Sequence, residues 1–521
     1  MNIKKLLIIF LYIAMLLCCL GIVGLLYHLG GRDDHGIVHE ATPSTPSVPE
    51  TEEELPLATG SEATPATASE ATPAQALKPA LRRRKKIVKE PEKPEPYHLP
   101  SIILATDVHY FSPKMTDYGK AFQKKLYRDD GKVLPYLPQL LEAFLDEVIE
   151  QRPTALVLSG DLTFNGEKVN HEELALKLKR VEEAGIPVLV IPGNHDINNG
   201  DAASYFGAES KAAEQVDAAG FLDIYHEFGY DQAFSRDENS LSYMYRLDDY
   251  NWMMMLDSCQ YEPYNLVGGR LKQETYVWMC EQLDAAARQD IRVIPVAHHN
   301  LLPESRLYPT DCAIEGREQL ISILETWKTP LYLSGHLHLQ RIRKHKAEPG
   351  VPDEDYGIYE AVTSSFSIPP FQYGMVKWTE DRGMIYSTKS VDVSGWAKKN
   401  GIEDENLLDF ENYSIKLMDE VIGSQIEERI STSLPDEQLR AMAHLYSILN
   451  RDYCAGNKID PREVYSTPSY FYWERNLPDT RQFREIALIL SDIKHDGSDS
   501  NYLEIPGTGY TLNPPKEVFH E

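Results

Sequence analysis

The sequence predicts a layered α/β sandwich with mixed sheets, followed by a small helical domain. Three observations carry this expectation. From residue 101 onward, short apolar runs of strand length alternate with stretches that carry a helical apolar stripe. After about residue 394 the stripes continue while the intervening strands stop. Five short blocks also follow directly on apolar runs: Asp107-Val108-His109, Gly160-Asp161, Gly193-Asn194-His195-Asp196, Ala297-His298-His299-Asn300 and Gly335-His336-Leu337-His338.

Taken in order, Ser101–Thr106 is a strand that runs into Asp107. Leu140–Gln151, apolar at 140, 141, 144, 145, 148 and 149, is a helix. Ala155–Ser159 is a strand ending at Gly160-Asp161, and His171–Ala184 is a helix stopped by Gly185. Ile186–Ile191 leads to Gly193-Asn194-His195-Asp196, and Trp252–Leu256 leads to Asp257-Ser258. Gln273–Arg288 is helical, Ile291–Ala297 ends at His298, and Leu331–Ser334 ends at Gly335-His336. The later strands near Tyr332, Tyr359 and Met375–Trp378 have no helices between them and are expected to pair antiparallel. Helical stripes cover Glu411–Ile430, Pro435–Ala455 and Thr480–Ile493, and the aromatic residues at 465–473 are expected to pack as core.

The N-terminal part is different. Leu6 to Tyr27 carries no charged side chain and is long enough to cross a bilayer, which takes about 20 apolar residues. It ends Gly21-Ile22-Val23-Gly24, a poor cleavage site, which favours an anchor over a cleaved signal. Lys4 and Lys5 before the run outnumber Arg32 after it, placing the N-terminus inside. The expectation is therefore a single-pass cell-membrane protein: 1–5 cytoplasmic, 6–27 spanning, 28–98 a linker, 99–393 and 394–521 two extracytoplasmic domains. Secretion after signal cleavage is the alternative. The linker is rich in Thr, Pro, Ala and Glu and repeats Ser-Glu-Ala-Thr-Pro-Ala at 61–66 and 69–74, a composition that buries no core.

A formal charge of −28 argues against a protein that coats duplex nucleic acid, which needs cations to neutralise phosphates. Cys259, Cys280, Cys312 and Cys454 show no C-x-x-C spacing, so no zinc ribbon is expected; four thiols are, with one disulfide left open.

In an open α/β sheet, ligand sites gather at the strand ends. The five blocks then bring carboxylate, imidazole and amide oxygen together, a donor set that suits Mn, Fe or Zn. A carboxylate shared between two cations holds them about 3.5–4 Å apart, and water between such ions is activated for in-line attack on phosphorus. Gly160, Gly193 and Gly335 let the chain turn where a Cβ would block the site. The chemistry indicated is metal-assisted cleavage of a phosphate ester.

On these residues the chain resembles the calcineurin-like metallophosphoesterase superfamily over about Ile102 to Val391. The Gly160–Gly166 block and the pair Leu256-Asp257-Ser258 and Gly268-Gly269-Arg270-Leu271 are similar to its cyclic-nucleotide phosphodiesterase branch. The whole resembles a Gram-positive bacterial phosphodiesterase of that branch with a helical C-terminal extension. The resemblance implies a four-layer α/β/β/α sandwich and two divalent ions. Asp107, His109, Asp161 and His338 would bind the first ion. Asp161, Asn194, His298 and His336 would bind the second, with Asp161 bridging. His195 would sit at the leaving-group or phosphoryl oxygen, and Asp196 would hold its tautomer. Asn194 and His195 would also touch substrate. Asn300 stands where many members have proline, with His299 a competitor to His298 as ligand. Arg270 would either reach the phosphate or form a structural salt bridge. Tyr110 to Leu134 would be a lid or a packed excursion.

The implied partner is a phosphoester small molecule or nucleotide. A phosphodiesterase leads, and a phosphomonoesterase or pyrophosphatase acting on envelope lipid or nucleotide shares the same ligands. A non-catalytic scaffold would predict lost ligands, yet every position holds a competent side chain.

Overall fold

The computed structural model describes residues 98–346, 357–428, 434–492 and 499–507. All lie in one compact unit, Lys93–Glu521. The expected membrane location is corrected here. Among the described residues no helix is long and apolar enough to cross a membrane. The segment 6–27 and the 28–97 part of the linker lie outside them.

The strands in chain order are β1 (Ser101–Ala105), β2 (Ala155–Ser159), β3 (Val188–Ile191), β4 (Ala203–Phe206), β5 (Glu209–Ala212), β6 (Ser235–Arg236), β7 (Tyr243–Arg246), β8 (Asn251–Leu256), β9 (Arg292–Ala297), β10 (Leu331–Ser334), β11 (Arg341–Lys346), β12 (Gly357–Val362), β13 (Gln372–Trp378), β14 (Met384–Ser390) and β15 (Tyr502–Ile505). One sheet runs β15-β14-β13-β1-β2-β3, the other β11-β12-β10-β9-β8-β7-β6, and β4-β5 forms a ribbon. Both large sheets are mixed: β1, β2 and β3 run parallel while β13 joins β1 antiparallel.

Side-chain alternation along a strand explains the layering. In β8, Met253 and Met255 enter the core shared with the first sheet. Trp252, Met254 and Leu256 point the other way, onto helices Gln273–Ala287 and Arg317–Thr326. On the far face of the first sheet lie helices Leu137–Gln151 and Lys168–Glu183, with the Phe144 ring 5.2 Å from Tyr373 of β13. The order is α/β/β/α.

One expectation, the antiparallel pairing of the later strands, is corrected, and one helix escaped the sequence reading. β12 pairs parallel with β10, through Tyr332 and Glu360, because β11 and a hairpin turn the chain round first. Helix Arg317–Thr326 also separates β9 from β10; its stripe is only Leu320, Ile321 and Leu324. Beyond β14, helices Phe410–Glu427, Asp436–Cys454, Pro468–Asn476 and Arg481–Asp492 surround the buried Trp473, whose indole donates to the Met442 carbonyl at 2.9 Å. The chain then returns to the first sheet as β15, antiparallel to β14. Cys259, Cys280, Cys312 and Cys454 are free thiols.

Candidate metal centre

The five blocks leave the strand ends together. Asp107 and His109 follow β1, Asp161 follows β2, Asn194 and His195 follow β3, His298 follows β9, and His336 and His338 follow β10. Asp107, His109, Asp161, His336 and His338 all have φ between 46° and 72°, a left-handed conformation uncommon for residues with a Cβ. Such strain persists only where the surroundings enforce it, and it collects at functional sites.

Asp161 stands in the middle. Its Oδ2 lies 3.7 Å from His109 Nε2, 3.4 Å from His298 Nε2 and 4.0 Å from His195 Nε2. On one side, His338 Nε2 is 3.0 Å from His109 Nε2 and 3.3 Å from Asp107 Oδ1. On the other, His298 Nε2 is 3.1 Å from Asn194 Oδ1 and 3.2 Å from His336 Nδ1. The donor atoms of Asp107, His109, Asp161 and His338 fall within 4.8 Å of one another.

The residues fit cations. Imidazole nitrogens of His109 and His338 face each other, as do those of His298 and His336. Asp107 Oδ1 is buried without a hydrogen-bond partner. Lone pairs aimed at one point with few donors between them suit metal ions. Two such sets flank Asp161, so the donors fit two divalent ions.

Electrostatics follow the same geometry. Burial would raise the Asp161 carboxyl, but the charges of His298 and His195 hold it well below its usual range. Burial would depress His298, but Asp161 lifts it to about 9. His338 is also lifted to about 9, burial being overcome by the Asp107 and Asp130 carboxylates on either side of its ring. Burial and the neighbouring His298 push His336 down to about 4.

His299 is brought to the same place, and its ring could be counted with His298 and His336. Both its nitrogens are engaged elsewhere: Nδ1 with Ser258 Oγ at 2.8 Å and Nε2 with the Val267 carbonyl at 2.8 Å. The geometry therefore favours His298. Asn300 donates to Ser334 Oγ and the Gly335 carbonyl, which gives it a loop-holding position.

One expected role is corrected, and one open alternative is decided. The Asp196 carboxylate does not meet the His195 ring. It accepts from the amides of Leu162, Thr163 and Gly193 at 2.8–3.0 Å, which knits the β2 and β3 loops together. His195 Nδ1 is instead fixed by the Phe164 carbonyl at 2.9 Å and Asn165 Oδ1 at 3.1 Å. Arg270 is exposed and paired with Glu315, its Nε donating at 2.9 Å, so its guanidinium is held by a surface salt bridge.

Other residues escaped the sequence reading. Asp130 Oδ2 lies 3.2 Å from His338 Nδ1, a carboxylate orienting an imidazole from behind. Buried Lys132 faces Asp130 at 2.5 Å and Asp129 at 3.6 Å. The available signal was the charge run Asp129-Asp130-Gly131-Lys132 inside the Tyr110–Leu134 stretch. Glu360 accepts from the amides of Leu301 and Leu302 and from Ser334 Oγ, pinning the loop after His298. Nothing local marks Glu360, since its partners are brought to it only by sheet pairing.

Two stacked mixed sheets with Asp and His donors converging on one carboxylate define a metal-dependent phosphoesterase. Comparison with known proteins agrees. Residues 100–340 match the calcineurin-like phosphoesterase family, and residues 392–496 match the C-terminal domain of cyclic nucleotide phosphodiesterase. Residues 100–340 therefore carry a calcineurin-like phosphoesterase domain, and the protein is a hydrolase acting on phosphoester bonds.

The chain is also similar to solved structures, among them a dimetal phosphatase from Danio rerio (14% identity, TM-score 0.41, covering 56% of this chain and 96% of that one). Another is purple acid phosphatase PPD1 from yellow lupin, Lupinus luteus (14% identity, TM-score 0.37, 56% and 52%). No curated protein matches the chain in sequence.

Proposed function

We propose that the chain hydrolyses phosphodiesters, cyclic nucleotides among them, with Mn, Fe or Zn as the two ions. Asp107, His109, Asp161 and His338 hold one ion; Asp161, Asn194, His298 and His336 hold the other. The observation that carries the reading is the convergence of both donor sets on Asp161 Oδ2. The C-terminal match to cyclic nucleotide phosphodiesterase supports the diester preference. On this reading residues 99–393 are the catalytic domain and 394–521 its C-terminal partner.

When bound, the ions neutralise phosphoryl oxygens and make water a nucleophile near neutral pH. The protein does the rest. The Phe164 carbonyl can only accept, so His195 Nδ1 carries the N–H and Nε2 faces the centre as the atom that exchanges a proton with the leaving-group oxygen. The Asp161 side chain in turn accepts from the His195 amide at 2.8 Å, tying the position of His195 to the bridging carboxylate. Asn194 is placed by its carbonyl, which accepts from Asn265 at 2.7 Å, and on this reading its side-chain amide is the second group assigned to a phosphoryl oxygen.

The test is turnover of 2′,3′- and 3′,5′-cyclic nucleotides, bis(p-nitrophenyl) phosphate and p-nitrophenyl phosphate, without metal and with added Mn, Fe or Zn. Diesters are expected to be cleaved only with metal. Cleavage of p-nitrophenyl phosphate alone would overturn the diester reading in favour of a monoesterase, and no cleavage with any of the three metals would overturn the whole.

A further inference from the structure

The two ion sites differ in what stands behind their imidazoles. At the second, the outer nitrogens of His298 and His336 face backbone carbonyls, those of Ser159 and Asp311, each at 2.9 Å. At the first, His109 Nδ1 is buried without a hydrogen-bond partner among the described residues. His338 has a carboxylate there instead: its Nδ1 lies 3.2 Å from Asp130 Oδ2.

Asp130 is held in turn. Its other oxygen, Oδ1, accepts from the Lys132 ammonium at 2.5 Å. The Lys132 side chain is 8% exposed, and its second counter-charge is Asp129 Oδ1 at 3.6 Å. Lysine is almost never buried so deeply unless it is paired. Here two carboxylates serve one buried cation, and one of them also faces an ion ligand.

We propose that Asp130 and Lys132 are a pair of positioning residues that set how tightly the first ion is held, acting through His338. The inference rests on the two-ion reading above. Three observations carry it. Both oxygens of Asp130 are committed, one to Lys132 and one to the His338 ring, so the carboxylate cannot rotate away from the imidazole.

The turn that carries the pair is also fastened on two sides. The Val133 amide donates to the Ser367 carbonyl at 3.0 Å, and Ser365 Oγ in the same loop donates to the Asp107 carbonyl at 3.0 Å. On the other side, Gln425 of helix Phe410–Glu427 donates to the Tyr127 carbonyl at 3.0 Å, and Gly131, at φ 107°, packs against Met418. Finally, a carboxylate behind an imidazole fixes the ring and makes the facing nitrogen more basic; losing such a partner typically lowers metal affinity about 10- to 100-fold.

Lys132 separates positioning from a simple field effect. Asp130 and one imidazole are all that stand between its charge and the first ion. As a bare charge it would repel that ion, and removing it would tighten binding. As the clamp on Asp130 it does the reverse, and removing it loosens binding.

The experiment titrates Mn into the metal-free full chain by calorimetry, after circular dichroism has checked folding. Asp130 is 52% exposed, so Asp130→Asn disturbs little packing. It should weaken one of the two Mn sites about 10- to 100-fold and the other less than threefold. Repeated in His298→Ala and in His338→Ala chains, the loss should appear in the first, which keeps the His338 site, and vanish in the second. Lys132→Met should weaken the same site about tenfold, and should add less than threefold to Asp130→Asn, because it acts through that carboxylate. If Lys132→Met does not fold, the Asp130→Asn titrations decide alone. Unchanged affinity in Asp130→Asn, equal losses at both sites, or tighter binding in Lys132→Met overturns the inference. A wild-type chain that binds fewer than two ions of Mn, Fe or Zn overturns the two-ion reading and this inference with it.

Discussion

Replacing Gly193 by alanine drives a methyl group against the carboxylate at the middle of the centre. The added Cβ would lie 2.0 Å from the Asp161 amide nitrogen, 2.2 Å from its Oδ1 and 2.8 Å from its Cα. Ordinary contact begins at 3.4 Å, so the β2 and β3 loops must part by about 1.4 Å. The obstacle is backbone and cannot rotate aside. The φ of Gly193 is not left-handed, so the penalty is contact and not torsion. Overpacking of this kind costs about 1–3 kcal/mol. Two hydrogen bonds to carboxylates cross the same seam, His195 N to Asp161 Oδ1 at 2.8 Å and Leu162 N to Asp196 Oδ2 at 3.0 Å. Weakening them adds about 1–3 kcal/mol. A misplacement of about 1 Å at reacting groups lowers turnover roughly 100-fold. The control is Gly200→Ala in the same loop, where a Cβ meets nothing within 4 Å. With Mn and bis(p-nitrophenyl) phosphate, Gly193→Ala should lose about 100-fold in kcat and melt at a lower temperature, while Gly200→Ala stays within twofold. Indistinguishable kinetics and melting for the two variants would refute the close approach of the loops.

Asp161→Asn keeps the side chain's shape but removes the charge that three imidazoles face, so Mn stoichiometry by calorimetry should fall below two and turnover should drop more than about 1,000-fold. His195→Ala should keep two Mn ions and lose about 100- to 10,000-fold in kcat, the range for a lost proton-transfer group; loss of an ion instead would make it a ligand. Arg270→Ala breaks only an exposed pair with Glu315, worth about 0–1 kcal/mol, so KM and kcat should both stay within twofold. His171 is buried and held to about 4 by burial, with the Asp196 carbonyl opposing. A lowered pKa contributes stability that is present above 6.5 and lost as pH falls through 4. The stability difference between wild type and His171→Gln should therefore shrink by about 3 kcal/mol between pH 7 and pH 4, read from urea midpoints. A difference that does not change with pH would show that His171 is not buried neutral.

The strands bearing the site were legible because each is a short apolar run that stops at a polar block; Ala155–Ser159 and Leu331–Ser334 have the expected bounds. β7, β11 and β14 were not read, because Tyr243–Arg246, Arg341–Lys346 and Met384–Ser390 carry polar or charged side chains on one face. The parallel pairing of β12 with β10 depends on a hairpin that local pattern does not reveal. The convergence of Asp107, His109, Asp161, Asn194, His298, His336 and His338 followed from strand-end logic alone. The partners of His195 did not. Adjacency in sequence suggested Asp196, but the turn at 193–196 directs that carboxylate at backbone amides of the neighbouring loop, and a carbonyl from Phe164 takes the place beside the ring. Asp130 was missed for a related reason: it reaches His338 across more than 200 residues of sequence.

β15 gives the C-terminal helices a topological status different from that of an appended domain. β14 and β15 are antiparallel neighbours, joined at Ser387 and Tyr502, and the whole helical region is threaded between them. It is an insertion in a hairpin, closing a loop of about 110 residues. Both its ends are fastened to one sheet edge, so the helices cannot hinge away on a single linker. During synthesis, the edge of β14 stays unpaired until the last strand emerges, and an open edge invites mispairing. The final short strand is therefore a latch: removing residues 499–507 should release the helices and uncover the sheet edge in one stroke.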